Sequence, residues 1–222
     1  MRIAILNPNS TDAMTQDMAE IARTALPAGS TVIALTNAEG PPAIQGEADA
    51  IACLPGLLAL ARGPVAAEAE AIVIGCFDDT GLAEMRATLK RPVVGLGEAG
   101  MIAATLAAPR FAVLTTTEGS VPVIAANIEA MGLGPRCDGV RAAGIPMLAL
   151  QERVPDLRAA LAASAAAATG SGAIVLGCAG MGRLADTLAG PGLPVLIDPV
   201  RAAVCLAASV VRSGFKTEGR AA

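Results

Sequence analysis

The chain contains no His, no Trp and no Tyr, and only three Phe: Phe77, Phe111 and Phe215. Without imidazole it cannot supply a Ser-His-Asp or Cys-His nucleophile pair, an H-E-x-x-H zinc site or a histidine general base. Proton transfer near neutral pH then falls to Cys, Asp, Glu or Lys. Cys is the natural choice, with an ordinary pKa of about 8.5 that a helix N-terminus lowers. Charge is scarce as well: 16 basic against 20 acidic side chains give a net charge of −4, with no basic cluster. With almost no aromatic surface to stack on bases, this composition speaks against nucleic-acid binding. Long apolar runs are missing too. The most continuous, Ala202 to Val211, falls short of the roughly 20 residues that span a bilayer. Met1 to Leu6 is too short for the apolar part of a signal peptide, so the expectation is a cytoplasmic protein without a membrane partner. The five cysteines, Cys53, Cys76, Cys137, Cys178 and Cys205, include no C-x-x-C pair. An odd set of this kind fits neither a disulfide framework nor a zinc knuckle.

What is present is alternation. A length of 222 residues allows one large α/β unit or two packed halves. Short β-branched runs at Arg2 to Leu6, Thr31 to Leu35, Ala71 to Gly75, Pro92 to Val94, Phe111 to Thr115, Ala173 to Gly177 and Pro194 to Ile197 read as strands. Their continuous apolar character implies burial on both faces, hence parallel sheets between helix layers. Helical stripes fall between them: Met14, Met18, Ile21 and Ala25; Val121, Ile124, Ile128 and Met131; Val154, Leu157, Leu161 and Ala165. The fold class is therefore α/β.

The pattern occurs twice. Ala71-Ile-Val-Ile-Gly-Cys76 and Ala173-Ile-Val-Leu-Gly-Cys178 are nearly identical and lie 102 residues apart, and Pro92-Val93 matches Pro194-Val195 at the same offset. Upstream, Arg2 to Leu6 pairs with Arg110 to Leu114, so Asn7-Pro-Asn9 corresponds to Thr115-Thr-Thr117. This predicts two pseudo-symmetric α/β domains facing one another across a cleft at the carboxyl ends of their strands. The expected halves are residues 1–97 with a returning helix at 199–216, and residues 98–198, with a disordered tail at 217–222.

The repeat carries a cysteine in each half, at the strand end where open α/β folds bind ligands. Backbone N–H groups and the start of the following helix should favour thiolate at Cys76 and Cys178. The plainer reading is two small buried hydrophobes, since free Cys is among the most buried residue types. A matched pair argues for chemistry, because two acid/base groups on opposite faces of a planar carbanion are what inversion of a carbon centre requires. The negative charge left on an adjacent carbonyl oxygen needs preorganised donors, for which the backbone N–H groups of Phe77, Asp78, Ala179 and Gly180 are placed. Asn7, Asn9, Thr115 and Thr116 end the equivalent first strands and should hold the substrate's carbonyl or amide groups. Ser10, Thr11 and Asp12 read as the N-cap of the first helix.

Asn7-Pro-Asn-Ser-Thr11, Gly40-Pro-Pro-Ala-Ile44, Cys76-Phe77, Gly97-Glu-Ala99, Thr115-Thr116, Gly177-Cys-Ala-Gly-Met181 and Ile197-Asp198 together resemble the Asp/Glu/hydantoin racemase superfamily, and within it the hydantoin and allantoin racemase branch. The resemblance runs from about Arg2 to about Phe215. It implies a cofactor-independent, homo-oligomeric racemase with Cys76 and Cys178 as acid/base residues and a 5-substituted hydantoin or allantoin-like ureide as substrate. Amino-acid racemases and maleate isomerase belong to the same superfamily and stand as alternatives. The chain departs from the branch at two places: Cys-Phe-Gly-Asp-Pro-Gly is here Cys76-Phe-Asp-Asp-Thr-Gly81, and Glu47 stands after Gly46 where His is common.

Three further features compete for a role. Gly95-Leu-Gly-Glu-Ala-Gly100 matches the dinucleotide pattern G-x-G-x-x-G after a strand and before a helix, with Glu118 near the place of a ribose-binding acid. A dinucleotide-binding or non-catalytic ligand-binding protein is thus the reading of another class. Asp78 and Asp79, adjacent acids with no His or third acid nearby, make a poor metal site. Cys53 and Cys205 read as core filling, and Cys137 as an exposed loop residue after Gly134-Pro135.

Overall fold

A computed structural model describes residues 1–150, 152–168 and 170–214. The tail expected at 217–222 lies outside the described residues. The first half of the chain forms β1 (Arg2–Asn7), α1 (Asp12–Ala25), β2 (Thr31–Thr36), α2 (Glu47–Arg62), α3 (Pro64–Ala67), β3 (Ala71–Ile74), α4 (Leu82–Thr88), β4 (Val93–Gly95) and α5 (Leu96–Ala107). The second half forms β5 (Phe111–Thr115), α6 (Val121–Ala130), β6 (Cys137–Ala142), α7 (Val154–Ala167), β7 (Ala173–Leu176), α8 (Ala179–Gly182), α9 (Ala185–Leu188), β8 (Val195–Ile197) and α10 (Pro199–Ser213).

The strands make two four-stranded sheets in the orders β2-β1-β3-β4 and β6-β5-β7-β8, with every pairing parallel. The identical orders are the structural form of the sequence repeat. In each sheet the two inner strands are almost wholly buried, as expected of apolar runs covered by helices on both faces. One core cluster joins the halves: Ile3, Ile5 and Val73 from the first sheet and Phe111, Val113 and Val175 from the second share it with α1, α5 and α10. Helix α5 crosses residue 97, where the sequence suggested a boundary, and packs on α10 and on β7. Helix α10 lies against α1, β3 and β4. Each sheet's other face has its own cluster, around Cys53, Leu57 and Met85 in the first half and Leu157, Leu161 and Leu188 in the second. Fully burying a side chain of this size contributes about 1.5–3 kcal/mol, so the shared cluster holds the halves together while leaving the strand ends free.

Three sequence expectations need correction. Cys137 opens strand β6 and is half-buried; it is not in a loop. That strand escaped notice because Cys-Asp-Gly-Val-Arg-Ala has no apolar run, being a half-exposed edge strand with a register shift. Cys205 is exposed and does not fill the core. On α10 the buried stripe is Ala203, Val204, Ala207 and Ala208, and the helical period turns residue 205 away from it. Thr11 occupies the N-cap position of α1 without capping it. Its hydroxyl donates instead to the Pro42 carbonyl at 2.7 Å, and Asp12 accepts from the Thr36 hydroxyl at 2.8 Å. These side chains tie loops together at the carboxyl edge of the first sheet. Among the described residues no helix is long and apolar enough to cross a membrane.

Candidate active site

Cys76 lies two residues beyond β3 and Cys178 two beyond β7, equivalent positions on central strands of the two sheets. Both line one small cavity between the halves, of about 30 Å³, room for a water or two. Asn9, Phe77, Asp78, Thr116 and Ala179 line it too, together with Ser120, Ile44 and Met147. The first half thus supplies one thiol and the second half the other, and the shared core fixes their separation.

The local chain explains the placement. Asn7, wholly buried at the end of β1, accepts from the Asn9 N–H at 3.1 Å and donates to Asn9 Oδ1 at 2.9 Å and Thr15 Oγ1 at 3.0 Å. Asn9 Oδ1 also accepts from the Thr11 N–H at 2.9 Å, which leaves its amide donor to a weak acceptor, Met14 Sδ at 3.5 Å. Asn7 therefore stands behind the lining as a positioning residue, and Asn9 presents the amide. The second half divides the work in the same way. Thr115 donates to the Gly177 carbonyl at 3.0 Å and is spent on holding the β7 turn, while Thr116 lines the cavity. Gly180 lies just outside the lining. The Met181 N–H, at the start of α8, donates to the Cys178 carbonyl at 3.0 Å.

Of the residues singled out from sequence, the fold brings Asn9, Cys76, Phe77, Asp78, Thr116, Cys178 and Ala179 to the cavity and keeps Asn7, Thr115 and Gly180 behind it. Ser120 and Met147 were not legible. Ser120 ends a 3-10 turn just before α6, and Met147 opens another, Met147–Ala149, each too short to carry a periodic signal.

The thiols differ from expectation in one respect. Burial pushes Cys178 up to about 12, and the N–H groups of Gly180 and Met181 only partly offset that rise. Cys76 is also held well above its ordinary value, first by burial and then by the Asp78 charge, against the Asp78 N–H and the Thr80 hydroxyl. Desolvation of a buried anion outweighs the few dipoles aimed at it. Cys76 also feels the charge of Cys178, the smallest of the causes acting on it.

The glycine-rich turn at the start of α5 has an internal partner. Asp79 accepts from the Gly97 N–H at 2.9 Å and from the Glu98 N–H at 2.7 Å, occupying the helix start where a pyrophosphate would sit. A Cβ on Gly97 would meet the Phe77 carbonyl at 2.2 Å, and one on Gly95 would meet Asp79 Oδ1 at 2.1 Å. These glycines admit the Phe77–Asp79 loop rather than a dinucleotide. Arg183, the cation nearest the motifs, pairs outside the cavity with Asp17 and, at 3.4 Å, with Glu20. The cavity lining has neither Lys nor Arg.

Comparison with known proteins agrees with this architecture. Residues 3–207 match the family model described as Asp/Glu/Hydantoin racemase. A hydantoin racemase of Rhizobium meliloti is 40% identical over 98% of this chain and 91% of its own length. The structure of an allantoin racemase from Klebsiella pneumoniae superposes with a TM-score of 0.91 at 32% identity, covering 98% of this chain and 90% of that one. A glutamate racemase from Bacillus anthracis, 16% identical with a TM-score of 0.66 over 96% of this chain and 82% of its own, shares the fold. With a family model matched over most of its length and a thiol from each half at one cavity, the chain belongs to the Asp/Glu/hydantoin racemase family.

Proposed function

We propose that this protein racemises 5-substituted hydantoins or allantoin-like ureides by two-thiol proton transfer, with Cys76 and Cys178 on opposite faces of the stereocentre. The observation that carries this reading is the pair of equivalent thiols lining a single cavity, one from each half. One cysteine, as thiolate, removes the proton next to the carbonyl and becomes a thiol while the charge passes to the substrate; the other, a thiol from the start, delivers its proton to the opposite face and is left as the thiolate. The carbonyl oxygen that gains charge in between is met by the Asn9 amide and the N–H groups of Phe77 and Ala179, and the Thr116 hydroxyl holds a second polar group of the ring. A cyclic imide-like ring acidifies its own α-proton, which suits catalysis by side chains alone. An amino-acid substrate with a carboxylate would need cations that the lining lacks.

The direct test incubates single enantiomers of several hydantoins and of allantoin with the protein in D₂O. Optical rotation should decay while α-deuterium accumulates at a matching rate. No exchange on any of them, with exchange on aspartate or glutamate, would replace this reading by an amino-acid racemase.

The pH dependence has a definite sign. The base must be ionised, and burial holds both thiols high, so the thiolate fraction grows with pH across the neutral range. We expect kcat/KM to rise about tenfold per pH unit from pH 6 to 8, read from initial racemisation rates at low substrate. A flat or falling profile there would contradict a thiol base.

A further inference from the structure

The cavity lining includes one carboxylate, Asp78, and the two-thiol reaction gives its side chain no task. It is 8% exposed and lies beside both cysteines. Its Oδ2 accepts from the Ser120 hydroxyl at 3.2 Å, and its backbone carbonyl accepts from the Asn127 amide at 3.0 Å. Its second carboxylate oxygen is not among the fully buried, unpartnered polar atoms of the described residues. No Lys or Arg lines the same cavity to balance it. A carboxylate set among apolar walls and thiols, with one hydroxyl as its side-chain partner, is a costly arrangement unless an incoming group completes it.

The side chain is also badly placed to assist the chemistry directly. An ionised carboxylate accepts hydrogen bonds and donates none, so it cannot stabilise the oxygen that becomes negative. Its charge is felt by both thiols. Asp78 lines the same cavity as the two thiols, so it borders a ring held between them and the substituents of the reacting carbon. One of those neighbours is the carbonyl, which repels it; the substituent that distinguishes one hydantoin from another is a neighbour it can attract.

We infer that the Asp78 carboxylate is the specificity determinant of this site, favouring hydantoins whose 5-substituent carries N–H donors or positive charge and rejecting those whose 5-substituent is anionic. The inference rests on the racemase reading above and adds the chemical class of the side chain. Like charges a few ångströms apart inside a protein repel strongly enough to set selectivity at about 100-fold or more, with an effective dielectric near 20.

The test compares kcat/KM for two hydantoins of similar length, one with a 3-guanidinopropyl and one with a 4-carboxybutyl group at the 5-position. The wild type should prefer the guanidino substrate by about 100-fold. Asp78→Asn, nearly isosteric, and Asp78→Gly, which removes the side chain, should each cut that preference at least about tenfold, with KM moving more than kcat. Thermal melts establish that each variant is folded, and either Asp78 variant alone suffices. Exchange by the wild type with a preference unchanged in the folded Asp78 variants, or a preference for the anionic substrate, overturns this inference alone. No exchange on any hydantoin overturns the racemase reading and the inference with it.

Discussion

Replacing either Cys76 or Cys178 by serine should lower racemisation by about 10³-fold, the scale on which a positioned acid/base group acts, while leaving half of the exchange chemistry alive. The argument follows from the placement of one thiol per half of the chain at a single cavity. Serine keeps nearly the same volume, so packing around the strand ends survives, but its hydroxyl does not ionise in the range where a thiol does. With one thiol left, a proton can still leave and return on one face. In D₂O, Cys76→Ser should therefore exchange the α-proton of one enantiomer without inverting it, and Cys178→Ser should do the same for the other enantiomer. This mirror-image pattern distinguishes two bases from one base with a mobile intermediate. Variants that each exchange both enantiomers, or that both racemise at wild-type rates, would refute the two-thiol mechanism. The double variant should lose exchange altogether.

Asp79→Ala should cost about 3 kcal/mol of stability and lower the melting temperature by about 6–12 °C. Asp79 holds a left-handed backbone conformation, φ 56°, which Asp tolerates better than most residues, and its two oxygens satisfy the first N–H groups of α5. Alanine strands both donors inside the protein and is less at ease at that φ. Asp79→Asn, with one carbonyl oxygen and the same conformational tolerance, should lose roughly half as much. Burial pushes Asp79 up to about 7, whereas in an unfolded chain an aspartate titrates near 3.9. Between those values the folded state holds more protons. The group's stabilisation is thus complete below about pH 4 and is lost as pH rises through about 7. Chemical denaturation at pH 5 and pH 8 checks both points: the wild type should be more stable at pH 5, and Asp79→Asn should shrink that difference, the rest coming from Asp78 and Asp198, which burial also raises. Equal denaturation midpoints for wild type and Asp79→Ala would show that the α5 cap contributes nothing.

How far the site was legible depended on whether its residues lie on the repeated strands. Cys76 and Cys178 could be found because the strand leading to each is the same apolar run, buried for the same reason in both halves. Asn9 and Thr116 could be placed only to within a residue or two, since Asn7 and Thr115 are equally polar and only the fold shows which of each pair faces inwards. Strand β6 carries no apolar run, because an edge strand half open to solvent does not need one. The turn Gly95 to Gly100 satisfies a dinucleotide pattern by residue type alone, and only Asp79, 18 residues before Gly97, reveals that the helix start is already taken.

By itself the sequence determined the class of fold and narrowed the proposed bases to thiols. Hydrophobic periodicity and the repeated strand are local properties of the chain, and the absence of histidine leaves thiols as the natural bases near neutral pH. The thiols' acidity was decided by the tertiary structure alone. A helix start suggests a stabilised thiolate, but desolvation depends on everything packed around the sulfur, and here it raises both cysteines and leaves an uncompensated Asp78 beside them. Burial and charge in a cavity are sums over residues distant in the chain, which is why no motif announces them.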